Sequence, residues 1–152
     1  MTGFTVRPFE DCDLDAVARL CEALWPDGTY EEHRSEISSM METPVGPYPS
    51  AIYVAVSPAG AIGFSLVGMR SHADSCDPHH PVGYLEGWFV EEQWRNKGVG
   101  RALVNAAEDW ARAQGCTEMA SDTWLDSEGS QRAHVALGYE VVERAVLFRK
   151  GL

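Results

Sequence analysis

The chain has 152 residues, 45% of them hydrophobic, enough for one domain spanning 1–152 with a core of its own and little room for a second. A formal net charge of −11 repels phosphate backbones and gathers cations. That disfavours nucleic acid as a partner and is compatible with a multiply charged amine, although solubility alone also accounts for an acidic surface. Without a long apolar run, and with neither a basic nor an apolar stretch from Met1 to Asp11, neither a membrane span nor a signal peptide is expected, and a cytoplasmic setting follows.

In chain order, Phe4 to Pro8 reads as a short strand. Leu14, Val17, Ala18, Leu20, Cys21 and Leu24 then recur at helical spacing, with Asp13 as candidate N-cap and Pro26-Asp27-Gly28 as the stop. A second amphipathic helix is expected over Tyr30 to Met41, with Glu31, Glu32, His33 and Glu36 on or near its polar side. Thr43 to Ser50 is a loop, and Ala51 to Val56 with Ala61 to Met69 form a hairpin about Ser57-Pro58-Ala59-Gly60. After a loop from His72 to Pro81, Val82 to Val90 has the apolarity of a buried strand, broken by one acid, Glu86. Val99 to Gln114 is helical and ends at Gly115, Glu118 to Ser121 begins another strand, and Ser130 to Leu137 is a short helix closed by Gly138. Val141 to Arg149 reads as a final strand. A hairpin followed by alternating helices and strands gives an α+β fold with a mixed sheet. Cys12, Cys21, Cys76 and Cys116 lack a CxxC pair, and their scatter fits reduced structural thiols better than zinc ligation or a disulfide framework, so no metal is expected.

The chemistry concentrates between Val82 and Arg101. A strand runs into Arg95-Asn96-Lys97-Gly98-Val99-Gly100-Arg101, and a long helix begins within that segment. Backbone N–H groups beside the positive end of a helix dipole bind phosphate. Gly98 and Gly100 allow close approach, while Arg95, Lys97 and Arg101 add positive charge in an otherwise acidic chain. The spacing matches neither GxxxxGK[ST] nor GxGxxG, which disfavours ATP and dinucleotides. As a bare pattern RxxGxG is also compatible with an ordinary helix start carrying surface arginines. Glu86, in a strand that otherwise reads as buried, either is a hydrogen-bonded structural acid or has a chemical task; partial burial would make it a better base for deprotonating an amine.

With Arg95 to Gly100 placed after Phe89-Val90, the sequence resembles the GNAT acetyltransferase superfamily, whose pyrophosphate signature is [QR]-x-x-G-x-[GA]. Within it, Leu24-Trp25, Tyr84-Leu85-Glu86-Gly87, Cys116-Thr117-Glu118-Met119-Ala120-Ser121-Asp122, His134-Val135-Ala136-Leu137-Gly138-Tyr139 and Glu143-Arg144 resemble the aminoglycoside 6'-N-acetyltransferases of the chromosomal enterobacterial and Acinetobacter kind. The resemblance implies a GNAT fold with a central, mostly antiparallel sheet flanked by helices. It further implies acetyl-CoA as co-substrate and direct acetyl transfer to the 6'-amine of an aminoglycoside.

Residue by residue, it implies that Trp88, Phe89 and Val90 offer backbone to the pantetheine arm and that Asn96, Lys97, Gly98, Val99, Gly100 and Arg101 hold the pyrophosphate, beside Arg95. Glu86 is the proton acceptor, Asp122 binds substrate near the reacting amine with a share in proton removal, Trp25 lines the sugar site and Glu143 meets a substrate ammonium. Because members are commonly homodimers, Glu143 can act across a subunit boundary. His134 stands where many GNAT enzymes have a tyrosine that protonates the leaving thiolate, which makes it a candidate for that task. Ser127 replaces an asparagine that contacts the cofactor in relatives, and His72-Ala73-Asp74 lacks a tyrosine that stacks on substrate in some of them. The remaining alternatives are a GNAT enzyme for another amine, such as a polyamine, an amino acid or a protein N-terminus, and a non-catalytic acyl-CoA-binding module.

Overall fold

The computed structural model describes residues 3–44 and 46–152. Strands β1 (Thr5–Pro8), β2 (Ala51–Ser57), β3 (Gly60–Arg70), β4 (Val82–Val90) and β5 (Met119–Ser121) form one sheet in the order β1-β2-β3-β4-β5. The first four are antiparallel neighbours; β5 joins β4 in parallel. The helices are α1 (Leu14–Leu24), α2 (Tyr30–Glu42), α3 (Val99–Ala113) and α4 (Glu128–Ala136). The architecture is the mixed α+β sheet expected from the sequence.

Alternation along the strands decides which helix covers which face. Val54 packs with Val17, Ala18, Leu20 and Ile37 of α1 and α2, whereas its neighbour Ala55 packs with Val99 and Leu103 of α3. Successive side chains point to opposite faces, so the sheet is filled from both sides. Phe64 is fully buried on the α1 face, and the next residue, Ser65, donates its hydroxyl to the Leu103 carbonyl of α3 at 3.0 Å. Thr29 starts α2 through a capping box, accepting from the Glu32 N–H at 3.2 Å while Glu32 reaches back to the Thr29 N–H.

Three local expectations are corrected. Asp13 does not cap α1 with its side chain: it accepts two bonds from Arg7, at 2.7 and 2.9 Å, and one from the Glu10 N–H at 2.8 Å, closing the short turn ahead of the helix. Arg7 holds the Asp13 carboxyl below its ordinary range, chiefly through this hydrogen bonding. His33 is buried rather than on the polar side of α2, with Nε2 3.0 Å from the Trp25 carbonyl oxygen. The third correction is larger. Residues 139–152 contain no strand, and Val141, Val142, Val146, Leu147 and Phe148 face solvent, the last two at 90% and 93% exposure. Their composition is that of a strand, but a strand must bond to an edge, and among the described residues the segment pairs with none.

Candidate functional site

The site is organised by β4, whose two ends do different things. At its N-terminal end Gly83, Tyr84 and Leu85 pair with Met119, Ala120 and Ser121 of β5. Beyond Leu85 that partner stops while β4 continues to Val90, so Trp88, Phe89 and Val90 are bonded to β3 on one side and open on the other. The register between β3 and β4 also slips here: Leu66 opposes Gly87 and Val67 opposes Leu85, which leaves Glu86 as the extra residue of a β-bulge. The bulge re-aims one side chain. Tyr84, Leu85 and Gly87 around it are buried, and Glu86 alone turns outward.

Within an otherwise buried strand the Glu86 side chain is 34% exposed, and its partner is a cation. Arg70, the last residue of β3, meets it edge-on, Nε to Oε1 at 2.9 Å and Nη2 to Oε2 at 2.8 Å. The same guanidinium lies over the Tyr84 ring with Cζ 3.5 Å from the centroid. Tyr84 in turn donates its hydroxyl to Asp122 Oδ2 at 2.6 Å. Burial, and then the bond to Asp122, push the Tyr84 phenol well above its ordinary range, so it remains a donor. Glu86, Arg70, Tyr84 and Asp122 thus form one connected cluster drawn from β3, β4 and the end of β5. Arg70 and Tyr84 also line a cavity of about 530 Å³ with Tyr48, His72 and Asp74.

At the other end of β4, α3 begins at Gly98, whose φ of +86° is a conformation that side chains with a Cβ rarely adopt. No side chain caps this helix, so its first N–H groups are available to a ligand. Gly100 is required for a different reason: a Cβ there would come within 3.0 Å of Trp88 Cζ2. The indole Nε1 of Trp88 is buried with no hydrogen-bond acceptor among the described residues. An uncapped helix start, an open strand edge and an orphaned buried donor together suit a ligand rich in phosphate and carbonyl oxygens. Lys97 and Arg101 are exposed beside them. Arg95 is partly committed, with Nε donating to the Val90 carbonyl at 2.9 Å and its guanidinium 5.5 Å from the Phe89 ring centroid.

The remaining expected residues divide. His134 of α4 is held between the ring edges of Trp88 and Tyr139, its Nδ1–H donating to the Ser130 carbonyl at 2.7 Å and its Nε2 2.9 Å from Ser121 Oγ. Ser121 also donates to Leu85 O at 3.0 Å, which ties α4 to both parallel strands. Trp25 is half-buried, packs over Gly87 and sets its ring edge against Phe64, next to the bulge. Ser127 holds the N-cap position of α4 without a side-chain cap bond. Glu143 lies in the exposed C-terminal segment and makes no hydrogen bond or ion pair with the cluster among the described residues.

The comparisons decide the family. Residues 16–139 match the acetyltransferase (GNAT) family. The chain is 46% identical to an aminoglycoside N(6')-acetyltransferase type 1 of Klebsiella aerogenes over 149 residues, which cover 97% of this chain and 96% of that protein. It belongs to the GNAT acetyltransferases and, within them, to the aminoglycoside N(6')-acetyltransferase family. This acetyltransferase is also 44% identical to a protein of the same description from Acinetobacter baumannii, with 97% and 98% of the two chains covered. Among solved structures it is similar to AAC(6')-Iy in complex with the bisubstrate analogue CoA-S-monomethyl-acetylneamine, at a TM-score of 0.88 and 32% identity over 99% of both chains.

For a GNAT chain, the residues that sequence reasoning overlooked are Arg70 and the Tyr84 hydroxyl. A signal existed, an arginine ending one strand of an antiparallel pair whose partner carries a lone acid. The long loop of residues 71–81 hides the register, and without the register no cross-strand partner can be assigned.

Proposed function

We propose that this single-domain protein transfers the acetyl group of acetyl-CoA directly to the 6'-amine of an aminoglycoside. The observation that carries the proposal is the division of β4, where a bulged carboxylate linked to a second acid stands on the same strand as an open edge leading to an uncapped, glycine-started helix. Acetyl-CoA supplies the activated acyl thioester. The N–H groups from Val99 onward, with Asn96, Lys97, Gly98 and Arg101, hold its pyrophosphate, and the free edge of Trp88 to Val90 receives the pantetheine arm. Trp88 Nε1 is a further donor for that arm. Arg95 braces the turn against Val90 rather than acting as a free charge.

On the acceptor side, Glu86 takes the proton that an alkylammonium must lose before it can attack, directly or through one water. Asp122, oriented by the Tyr84 hydroxyl, binds the amine, and Trp25 borders the sugar site. Strand N–H groups stabilise the oxyanion of the attacked thioester. His134, tied to Ser121 beside the strand edge, is the candidate donor to the departing thiolate. Ser127 borders the cofactor at the start of α4. No acyl-enzyme is required; the buried Cys21 thiol is pushed up to about 12 by desolvation, which makes it a poor nucleophile. The unpaired state of all four cysteines supports a cytoplasmic setting.

The protein works as a homodimer in this reading. Residues 141–148 are rich in β-branched and aromatic residues, lie exposed and carry Glu143, features that suit pairing with a second copy and delivery of Glu143 to that copy's acceptor site. Deleting residues 141–152 is expected to convert a dimer to a monomer in light scattering and to weaken acceptor binding; a monomeric full-length chain contradicts the dimer, and a truncated chain that stays dimeric contradicts the segment's part in it. The decisive test of function is thiol release with acetyl-CoA and a kanamycin-like acceptor. Turnover is expected, together with none for the analogue bearing a 6'-hydroxyl, and absence of turnover with every 6'-amino acceptor overturns the proposal.

A further inference from the structure

The acceptor cluster already holds a cation. Arg70 places both nitrogens of one guanidinium edge on Glu86, lies flat on Tyr84, and is within electrostatic reach of Asp122. We infer that Arg70 is the resident counter-cation of the acceptor site, and that acceptor binding exchanges its guanidinium for an ammonium group of the incoming amine.

Two acids joined through one tyrosine repel each other unless a positive charge stands between them, and in the free protein that charge is Arg70. Each Glu86 oxygen already accepts a charged N–H from it. Glu86 cannot take a proton from an amine while that pairing is intact without setting a neutral acid against a guanidinium, so proton removal goes with displacement of Arg70. The surroundings permit the displacement. The Arg70 side chain is 45% exposed and Glu86 34%, and an ion pair so open to water is weakly held. The guanidinium has somewhere to go, because Arg70 lines the cavity that also contains Asp74, an alternative carboxylate partner, and the aromatic ring of Tyr48. Stacking on Tyr84 keeps the group in place until a competitor arrives, as a cation over an aromatic face is attracted without being locked. Arg70 is thus a positioning and specificity-determining residue: it keeps the acids paired between turnovers and sets the threshold that a cationic acceptor must pass.

The inference rests on the acceptor assignment of the preceding section. Its test compares Arg70→Met with the parent protein in steady-state thiol release, using a kanamycin-like acceptor and ethylguanidinium as an added competitor. The expected result is a fall in acceptor KM by about two- to fivefold, the range that a half-exposed ion pair supports, with no rise in kcat. Ethylguanidinium should inhibit the variant competitively against the acceptor and not against acetyl-CoA, because it refills the vacated position. An acceptor KM that is unchanged or raised, in a variant that still binds CoA by calorimetry, overturns the inference and leaves Arg70 as a brace for the strand. Should Arg70→Met lose CoA binding, Arg70→Lys decides: a point charge without the fork holds Glu86 less firmly, so KM falls in the same direction by a smaller factor, and a rise overturns the exchange. Failure of the acceptor assignment itself looks different, since the parent protein then releases no thiol with any aminoglycoside.

Discussion

The two ends of the ligand-binding strand are built on opposite plans. At the α3 end, the groups that face the proposed cofactor are mostly backbone: N–H groups of a helix start, a free strand edge and two glycines that let a ligand or an indole come close. At the proposed acceptor end they are side chains, Glu86, Arg70, Tyr84 and Asp122, linked to one another by charge and hydrogen bonds. Backbone recognition depends on chain conformation and tolerates changes of neighbouring side chains. Side-chain recognition depends on pairing, so a change in one member alters the others. In the proposed reading, one strand therefore couples a backbone-built site that should change little from one acceptor to another with a side-chain site whose charge balance would set acceptor preference.

Substitutions that break this contrast most sharply act on the chemistry. Glu86→Gln is expected to lower kcat by roughly 10²- to 10⁴-fold, the ordinary range for a lost general base, while CoA affinity measured by calorimetry stays the same. Unchanged turnover would remove Glu86 from the proton path. At the opposite end, Gly98→Val must hold a β-branched residue at positive φ and crowds the anion cradle, so the KM for acetyl-CoA should rise by about ten- to a hundredfold with little change for the acceptor. Equal losses for both substrates would show that the two ends do not behave independently. Asp122→Asn should raise the acceptor KM by about tenfold, as expected when a charge-assisted contact is weakened. Tyr84→Phe should move the same parameter by about two- to fivefold, because it removes one hydrogen bond to Asp122 and keeps the ring under Arg70. If Tyr84→Phe exceeded Asp122→Asn, the phenol rather than the carboxylate would be the group the amine meets.

A control outside both ends sharpens the comparison. The Arg7–Asp13 pair is a structural use of the same ion chemistry, with Asp13 buried. Arg7→Met should cost about 1.5–3 kcal/mol in urea unfolding at pH 7 and leave the kinetics untouched. Because Asp13 is held below its ordinary 3.8, this contribution is present in full above that pH and fades as pH falls through the lower folded-state value. The gap between parent and variant should accordingly narrow as pH falls below 3.8, and a gap that does not narrow at all in acid would assign the stabilisation to packing instead.

How much of this was legible depended on how local each feature was. The glycine turn and its helix could be read because every group that matters lies within a few residues, and helix polarity does the rest. The boundaries of β2, β3, β4 and α3 followed from periodicity and turn residues to within a residue or two. Glu86 stood out as an acid in an apolar strand, but the sequence could not say what it would meet. The outward turn comes from a bulge, and a bulge is a relation between two strands that one strand's sequence does not display. Arg70 was missed for the same reason of register. The C-terminal segment failed differently: it is rich in strand-forming residues, but a strand is a pairing, and among the described residues the segment bonds to none of the sheet's edges.

The sequence by itself determined the amphipathic helices, the hairpin, the anion-binding turn and the family, all properties carried by short runs of residues whose conformations and exposed groups follow from their own chemistry. Only the tertiary structure decided which face each helix covers, where β5 parts from β4, and that Arg70 and Tyr84 link Glu86 and Asp122 into a single cluster. These outcomes depend on strand register and on contacts between segments far apart in the chain, which are fixed when the core packs.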